Sequence, residues 1–158
     1  MAHDVFISYS SEDKPIADAI CANLESVGIR CWVAPRDIGY GEDWPTAIAN
    51  AASQSRVMVL AFSANLNSSA QISRELSLAA DSSVVIVPFK IERVEPEPGK
   101  RFYLTNSHWL DAMNPPTEEQ IRSLVEFVRT ILSSVRRNGI APETVVLPVK
   151  PPVYSQHL

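Results

Sequence analysis

The stretch SSAQISREL, residues 69–77, carries one acidic side chain, Glu75, among serines and apolar residues early in a helical pattern. A lone carboxylate can serve a ligand in two ways. It accepts hydrogen bonds from hydroxyls, and it stabilises positive charge that develops beside it. It does neither as a solvated charge on a helix surface, so the reading depends on where its helix begins. Other chemistry-bearing residues are sparse. His3, His108 and His157 are far apart and lack metal-ligand spacing, so no metal is expected. Cys21 and Cys31 lie in apolar runs and read as reduced core residues of a cytoplasmic protein. GYGEDW, residues 39–44, begins like a dinucleotide fingerprint but has Trp44 where the third glycine belongs, and reads as a flexible turn.

The whole chain sets the frame for these residues. Its 158 residues, 46% hydrophobic and 20% charged, suit one domain with a core of its own plus a short extension. A net charge of -4 offers no basic footprint, so nucleic acid is not an expected partner. No apolar run approaches the roughly 20 residues of a membrane span, and no signal-peptide pattern opens the chain.

Short apolar runs at 5–9, 29–34, 56–63, 82–90 and 107–112 predict strands. Between them lie helical patterns. Ile16, Ile20, Leu24 and Val27 mark the first, stopped by Gly28, and residues 44–55 form the second. Ile72, Leu76, Ala79 and Ala80 mark the third, capped by Ser68 or Ser69 after a turn at ANLNSS. Residues 92–100, rich in proline and acid, read as a loop. TEEQ, residues 117–120, fits a capping box before a strongly amphipathic helix ending near residue 134. Residues 135–158 hold four of the twelve prolines and no sustained period, and are expected to be a linker or arm toward a further sensor or effector domain.

Strand and helix alternate throughout. This predicts an α/β, flavodoxin-like, doubly wound five-stranded parallel sheet of order 2-1-3-4-5, with helices on both faces. Ligands of such sheets sit beyond the carboxyl ends of the strands, where the order reverses, here between strands 1 and 3. The segments 8–13 and 63–76 meet there, with the 34–44 loop beside them. At about 100° per residue, Glu75 lies about 85° from the centre of its helix's apolar face, on the border of the buried stripe. Both readings of Glu75 survive this geometry, the solvated boundary charge and the carboxylate over the crevice. A phosphoacceptor receiver domain shares the topology, but it needs an aspartate closing strand 3, where Ser63 stands.

DVFISYSSED, RCWVAPRDIGYGEDW, SSAQISREL and HWLDA occur in this order. Together they closely resemble a bacterial TIR (Toll/interleukin-1 receptor) domain spanning residues 1–134. The first segment resembles the family's box 1, Pro35–Trp44 its BB loop, and His108-Trp109 its box 3. The resemblance implies one of two activities. Enzymatic members cleave NAD+ at the nicotinamide–ribose bond, as NAD+ glycohydrolases or ADP-ribosyl cyclases, with NAD+ as substrate and no cofactor. Other members are self-associating scaffolds of signalling. In the enzymes a glutamate of the third helix is essential, and Glu75 matches it. Phe6 and Ser8 match positions lining the nicotinamide pocket, and Arg36, Asp37 and Trp44 lie in the loop that closes over substrate. The pocket of these enzymes is typically completed by a neighbouring protomer. Catalytic members often carry tryptophan four residues before the glutamate, and this chain has Gln71 there, on the same helix face. A stacking wall is then left to Trp44, Trp32 or Phe6.

Overall fold

The computed structural model describes residues 3–138. Its sheet has five parallel strands in the order β2-β1-β3-β4-β5, the order expected from the alternation. The strands are β1 (Val5–Ser8), β2 (Cys31–Trp32), β3 (Val57–Phe62), β4 (Val85–Lys90) and β5 (Leu110–Asp111). The helices are α1 (Lys14–Ser26), α2 (Trp44–Gln54), α3 (Ala64–Asn67), α4 (Ala70–Asp81), α5 (Pro98–Leu104) and α6 (Glu118–Asn138).

Side chains alternate across a strand, so each apolar strand feeds two cores. Val5, Ile7, Cys31, Val57, Val59 and Val87 face α1 and α6. Phe6, Met58, Leu60 and Phe62 face α2, α4 and α5. Every residue of β1 and β3 is buried. Each buried aliphatic side chain of this size contributes about 1.5–3 kcal/mol through removal from water, which makes these central strands the anchor of the fold. Trp109, expected in the core, is buried and meets Phe62 edge-on at 5.1 Å.

Helix ends follow local chemistry. Past the end of α1, Gly28 takes φ +88° and donates to Glu25 O at 3.0 Å, the left-handed stop that a side chain would strain. Asp43 caps α2 through Thr46 N at 3.1 Å. Thr117 and Gln120 exchange bonds of 3.0 Å, completing the capping box.

Several expectations on element boundaries need correction, and β2 and β5 are short, Cys31–Trp32 and Leu110–Asp111, within the expected 29–34 and 107–112. ANLNSS is not merely a turn, because Ala64–Asn67 is a single helical turn capped by the Ser63 side chain at 3.2 Å from Leu66 N. The polar stretch 92–100 is loop only as far as Glu97. Pro98 opens α5, since proline at a first helical position loses no needed N–H, and Leu104 then anchors the helix in the core. The fourth strand starts at Val85 rather than residue 82, because Ser82 and Ser83 finish the helix before it, Ser83 with φ 61°. Helix α6 continues past residue 134 to Asn138. Beyond it, the expected linker or arm lies outside the described residues. Among the described residues, no helix is long and apolar enough to cross a membrane.

Candidate active site

The carboxyl ends of β1 and β3 and the start of α4 meet where the strand order reverses. Phe6 and Ser8 are two apart on β1, so both face the α2–α4 side. Trp32 is in register with Phe6 on the neighbouring strand. The two rings stack with centroids 5.4 Å apart and planes 9° from parallel. This gives the site a flat aromatic floor.

Glu75 lies in the second turn of α4, above that floor. It is 5% exposed, more enclosed than a position on the border of the apolar stripe implies. The correction comes from the neighbours. Helix α2 packs beside α4, and Ser8 on β1 reaches the carboxylate from the sheet side. Ser8 Oγ donates to Glu75 Oε1 at 2.9 Å, and Gln71 Nε2 donates to Oε2 at 2.9 Å. Both donors are neutral. Burial therefore dominates and pushes the carboxyl above its ordinary 4.5, opposed by the bonds from Gln71 and Ser8 and by the charge of Arg74. Each oxygen keeps a second acceptor position for a ligand hydroxyl.

A cavity of about 340 Å³ opens over these groups, lined among others by Phe6, Ser8, Trp32, Trp44, Gln71 and Glu75. A second space of about 330 Å³ adjoins it between α2 and α4, and Trp44, Ile48, Gln71 and Glu75 border both. A separate cavity of about 420 Å³ lies beside β4, β5 and α5; Trp109 lines it, but none of the expected catalytic or substrate-binding residues does. Tyr9 and Ile48 also line the first cavity, although the sequence did not mark them as site residues, and so does Ser69, expected only as a helix cap. Tyr9 carried one legible signal, its place at the carboxyl end of β1. Its hydroxyl donates to Ala34 O and ties that end to the loop after β2.

The structure brings Phe6, Ser8, Trp44, Gln71 and Glu75 to one cavity and leaves out Arg36 and Asp37. The guanidinium of Arg36 turns to the α1 side, where its two terminal nitrogens reach Glu25 at 3.0 and 2.9 Å. It also donates to Cys31 O at 3.0 Å and to Asp37 at 2.8 Å. Asp37 accepts from Val33 N at 2.9 Å. Both residues thus secure the root of the 35–43 loop, whereas Trp44 at its far end reaches the cavity. Gln71 does not supply a stacking wall. It holds the carboxylate, and the stacked surface comes from Phe6 and Trp32.

A family model described as TIR domain matches residues 5–125. No curated protein matches the chain. Among solved structures, the TIR domain of the Toll-related receptor TRR-2 from Hydra magnipapillata is similar at TM-score 0.65. It is 21% identical and aligns over 85% of this chain and 99% of that one. The TIR domains of the activated Roq1 resistosome, which directly recognizes the pathogen effector XopQ, are similar at TM-score 0.64. There the identity is 18%, covering 80% and 99%. A metazoan TIR-STING receptor from C. gigas in complex with 2',3'-cGAMP is similar at TM-score 0.63 and 22% identity. That alignment covers 78% of this chain but 38% of the receptor. At such identities the likeness is one of fold.

Proposed function

Since the chain belongs to the TIR domain family, we propose that it is an NAD+ nucleosidase whose carboxylate is Glu75. The observation that supports this is the buried Glu75 carboxylate, held by Ser8 and Gln71 over the aromatic pair Phe6–Trp32. In NAD+ the nicotinamide is a cationic leaving group. When the bond to the anomeric carbon breaks, its electron pair goes to the ring nitrogen and nicotinamide departs neutral, so no general acid is needed. Positive charge then develops on the ribose, as in other glycosyl transfers. Glu75 stabilises that charge and accepts bonds from ribose hydroxyls, an effect that grows as water is excluded. Phe6 packs on nicotinamide, with Trp32 stacked against it, and Ser8 hydrogen-bonds beside it. Water attack would yield ADP-ribose, internal attack a cyclic product, and another nucleophile a conjugate.

The proposed setting is cytoplasmic immune or stress signalling in a bacterium, with the site completed by self-association. Purified protein, assayed for nicotinamide release at rising concentration, tests both parts. Turnover per chain should climb with concentration, and Glu75→Ala should slow it by on the order of 100-fold or more, the effect of losing about 2.7–4 kcal/mol of transition-state stabilisation. Equal release from wild type and variant would refute the role of Glu75.

One observation favours a second reading. Gln71 replaces the aromatic residue that the family resemblance expects and occupies one oxygen of Glu75. A non-catalytic module that assembles with other TIR domains as a scaffold fits this departure. Such a module would leave NAD+ intact at every protein concentration.

A further inference from the structure

Cys21 and Cys31 are ten residues apart in sequence, one on α1 and the other on β2. Folding brings them together on the sheet face opposite the Glu75 cavity. Their sulfurs and a carboxylate oxygen of Glu25 all lie within 4.8 Å of one another. The thiols are 4% and 6% exposed, beneath a surface group. That group is Arg36, whose side chain is 46% exposed and whose Nη1 stands 3.4 Å from Cys21 Sγ. Asp37 completes the ring of charge through Arg36.

Two sulfurs beside a carboxylate could hold a soft divalent cation, but the guanidinium already holds both oxygens of Glu25 and lies against Cys21. A metal ion would have to expel it. The arrangement suits redox chemistry better, because the arginine favours a thiolate and leaves the second thiol beside it. We propose that Cys21 and Cys31 are an oxidisable dithiol that closes to an intramolecular disulfide on reaction with a hydroperoxide.

The two thiols differ in role. Cys31 S–H donates to Ile29 O at 3.7 Å, whereas the Cys21 sulfur accepts from Arg36 Nη1 at 3.4 Å, and its thiol is lowered below its ordinary value by the neighbouring Cys31 sulfur. Burial opposes that shift, and Arg36 adds to it. The neighbouring Cys21 sulfur, together with burial, holds the Cys31 thiol far above the usual range. Cys21, the sulfur that the Arg36 guanidinium touches, is the attacking one, since the thiolate is the nucleophile and a neighbouring cation favours it. It takes the distal oxygen of the peroxide, the O–O bond breaks, and the other oxygen leaves as water once protonated. Cys21 is left as sulfenic acid. Cys31 sulfur then attacks Cys21 sulfur, the S–O bond breaks, and the hydroxyl leaves with the Cys31 proton as a second water. In sum, two thiols and one hydrogen peroxide give one disulfide and two waters. Trp32, next along the strand, and Arg36, at the loop root, would both sense the new bond.

Intact mass and peptide mapping of the full chain after dosing with hydrogen peroxide test this. Wild type should lose the mass of two hydrogens, show a Cys21–Cys31 linked peptide, and recover both thiols with dithiothreitol. Cys31→Ser should stop at a sulfenic acid on Cys21 that dimedone captures. Cys21→Ser should stay unmodified at the dose that closes wild type. The proposal is overturned if wild-type thiols survive a dose that fully oxidises glutathione in the same tube. Oxidation giving only intermolecular dimers or over-oxidised Cys21 also overturns it, as does one zinc per chain co-purifying with the thiols protected.

Discussion

Glu75 and Glu25 flank the same sheet from opposite faces and meet opposite environments. Glu75 on α4 is enclosed and touched only by neutral donors, so burial lifts its carboxyl above 4.5. Glu25 on α1 is partly exposed and takes a bidentate grip from Arg36, which lowers its carboxyl below 4.5. One carboxyl lacks an ion-pair partner inside a cavity, while the other is paired with Arg36 at the surface. Folding gains little from the first, which is the pattern expected where a group is kept for chemistry. The second is an ordinary surface pair that fixes a loop root.

The largest expected separation between the two is catalytic. Glu75→Gln keeps the shape of the side chain and removes its charge, and should lower NAD+ turnover by on the order of 100-fold. Glu25→Gln should leave kcat unchanged. Equal losses would mean that the contrast has nothing to do with catalysis.

A smaller effect sharpens the account of how Glu75 is held. Ser8→Ala removes the donor to Oε1, and hydrogen bonds to charged groups are worth about 1.5–3 kcal/mol. The carboxyl should rise further, since one of the bonds holding it down is gone. The acid limb of kcat/KM against pH should therefore move to higher pH in this variant.

The smallest effects are on stability, and their signs should oppose. The folded value of Glu75 is raised, so its contribution to stability is fully present below the ordinary 4.5 and lost as pH rises through the folded value. Glu75→Gln should melt above wild type at neutral pH, by about 2–4 °C for each kcal/mol recovered, with the gap closing in acid. Either amide can turn to satisfy Ser8 or Gln71, so no donor need be stranded. The folded value of Glu25 is lowered, so its contribution is present above the ordinary 4.5 and lost as pH falls through the folded value. Glu25→Gln should cost about 0.2–1 kcal/mol at neutral pH, less in high salt, and nothing in strong acid. Thermal melts across pH and salt would check both signs.

The same contrast bears on what could be read in advance. Residues Val5 to Ser8 and Val57 to Phe62 declared themselves strands through unbroken apolar runs, and their alternation assigned Phe6 and Ile7 to different cores. Helix α5 escaped because Pro98 and Gly99 look like breakers until Leu104 is seen to have a buried place waiting. Glu75 was legible as a candidate, while its enclosure was not, because it depends on α2 packing across the flank of α4. Where Arg36 and Asp37 sit was not legible, because a loop side chain can turn to either face and here both bond to backbone, and Arg36 also to Glu25 on the α1 side.

The sequence by itself therefore determined the periodic features. It decided which segments become strand or helix, how the five strands are ordered, and that Glu75 belongs to the helix starting at the switch point. These follow from local spacing and from the few ways such units connect. Tertiary structure alone decided where individual polar groups end up. It buried Glu75 between Ser8 and Gln71, turned Arg36 toward Glu25, and brought Cys21 to Cys31. Those outcomes depend on which distant side chain fills the space opposite, and neither spacing nor composition carries that information.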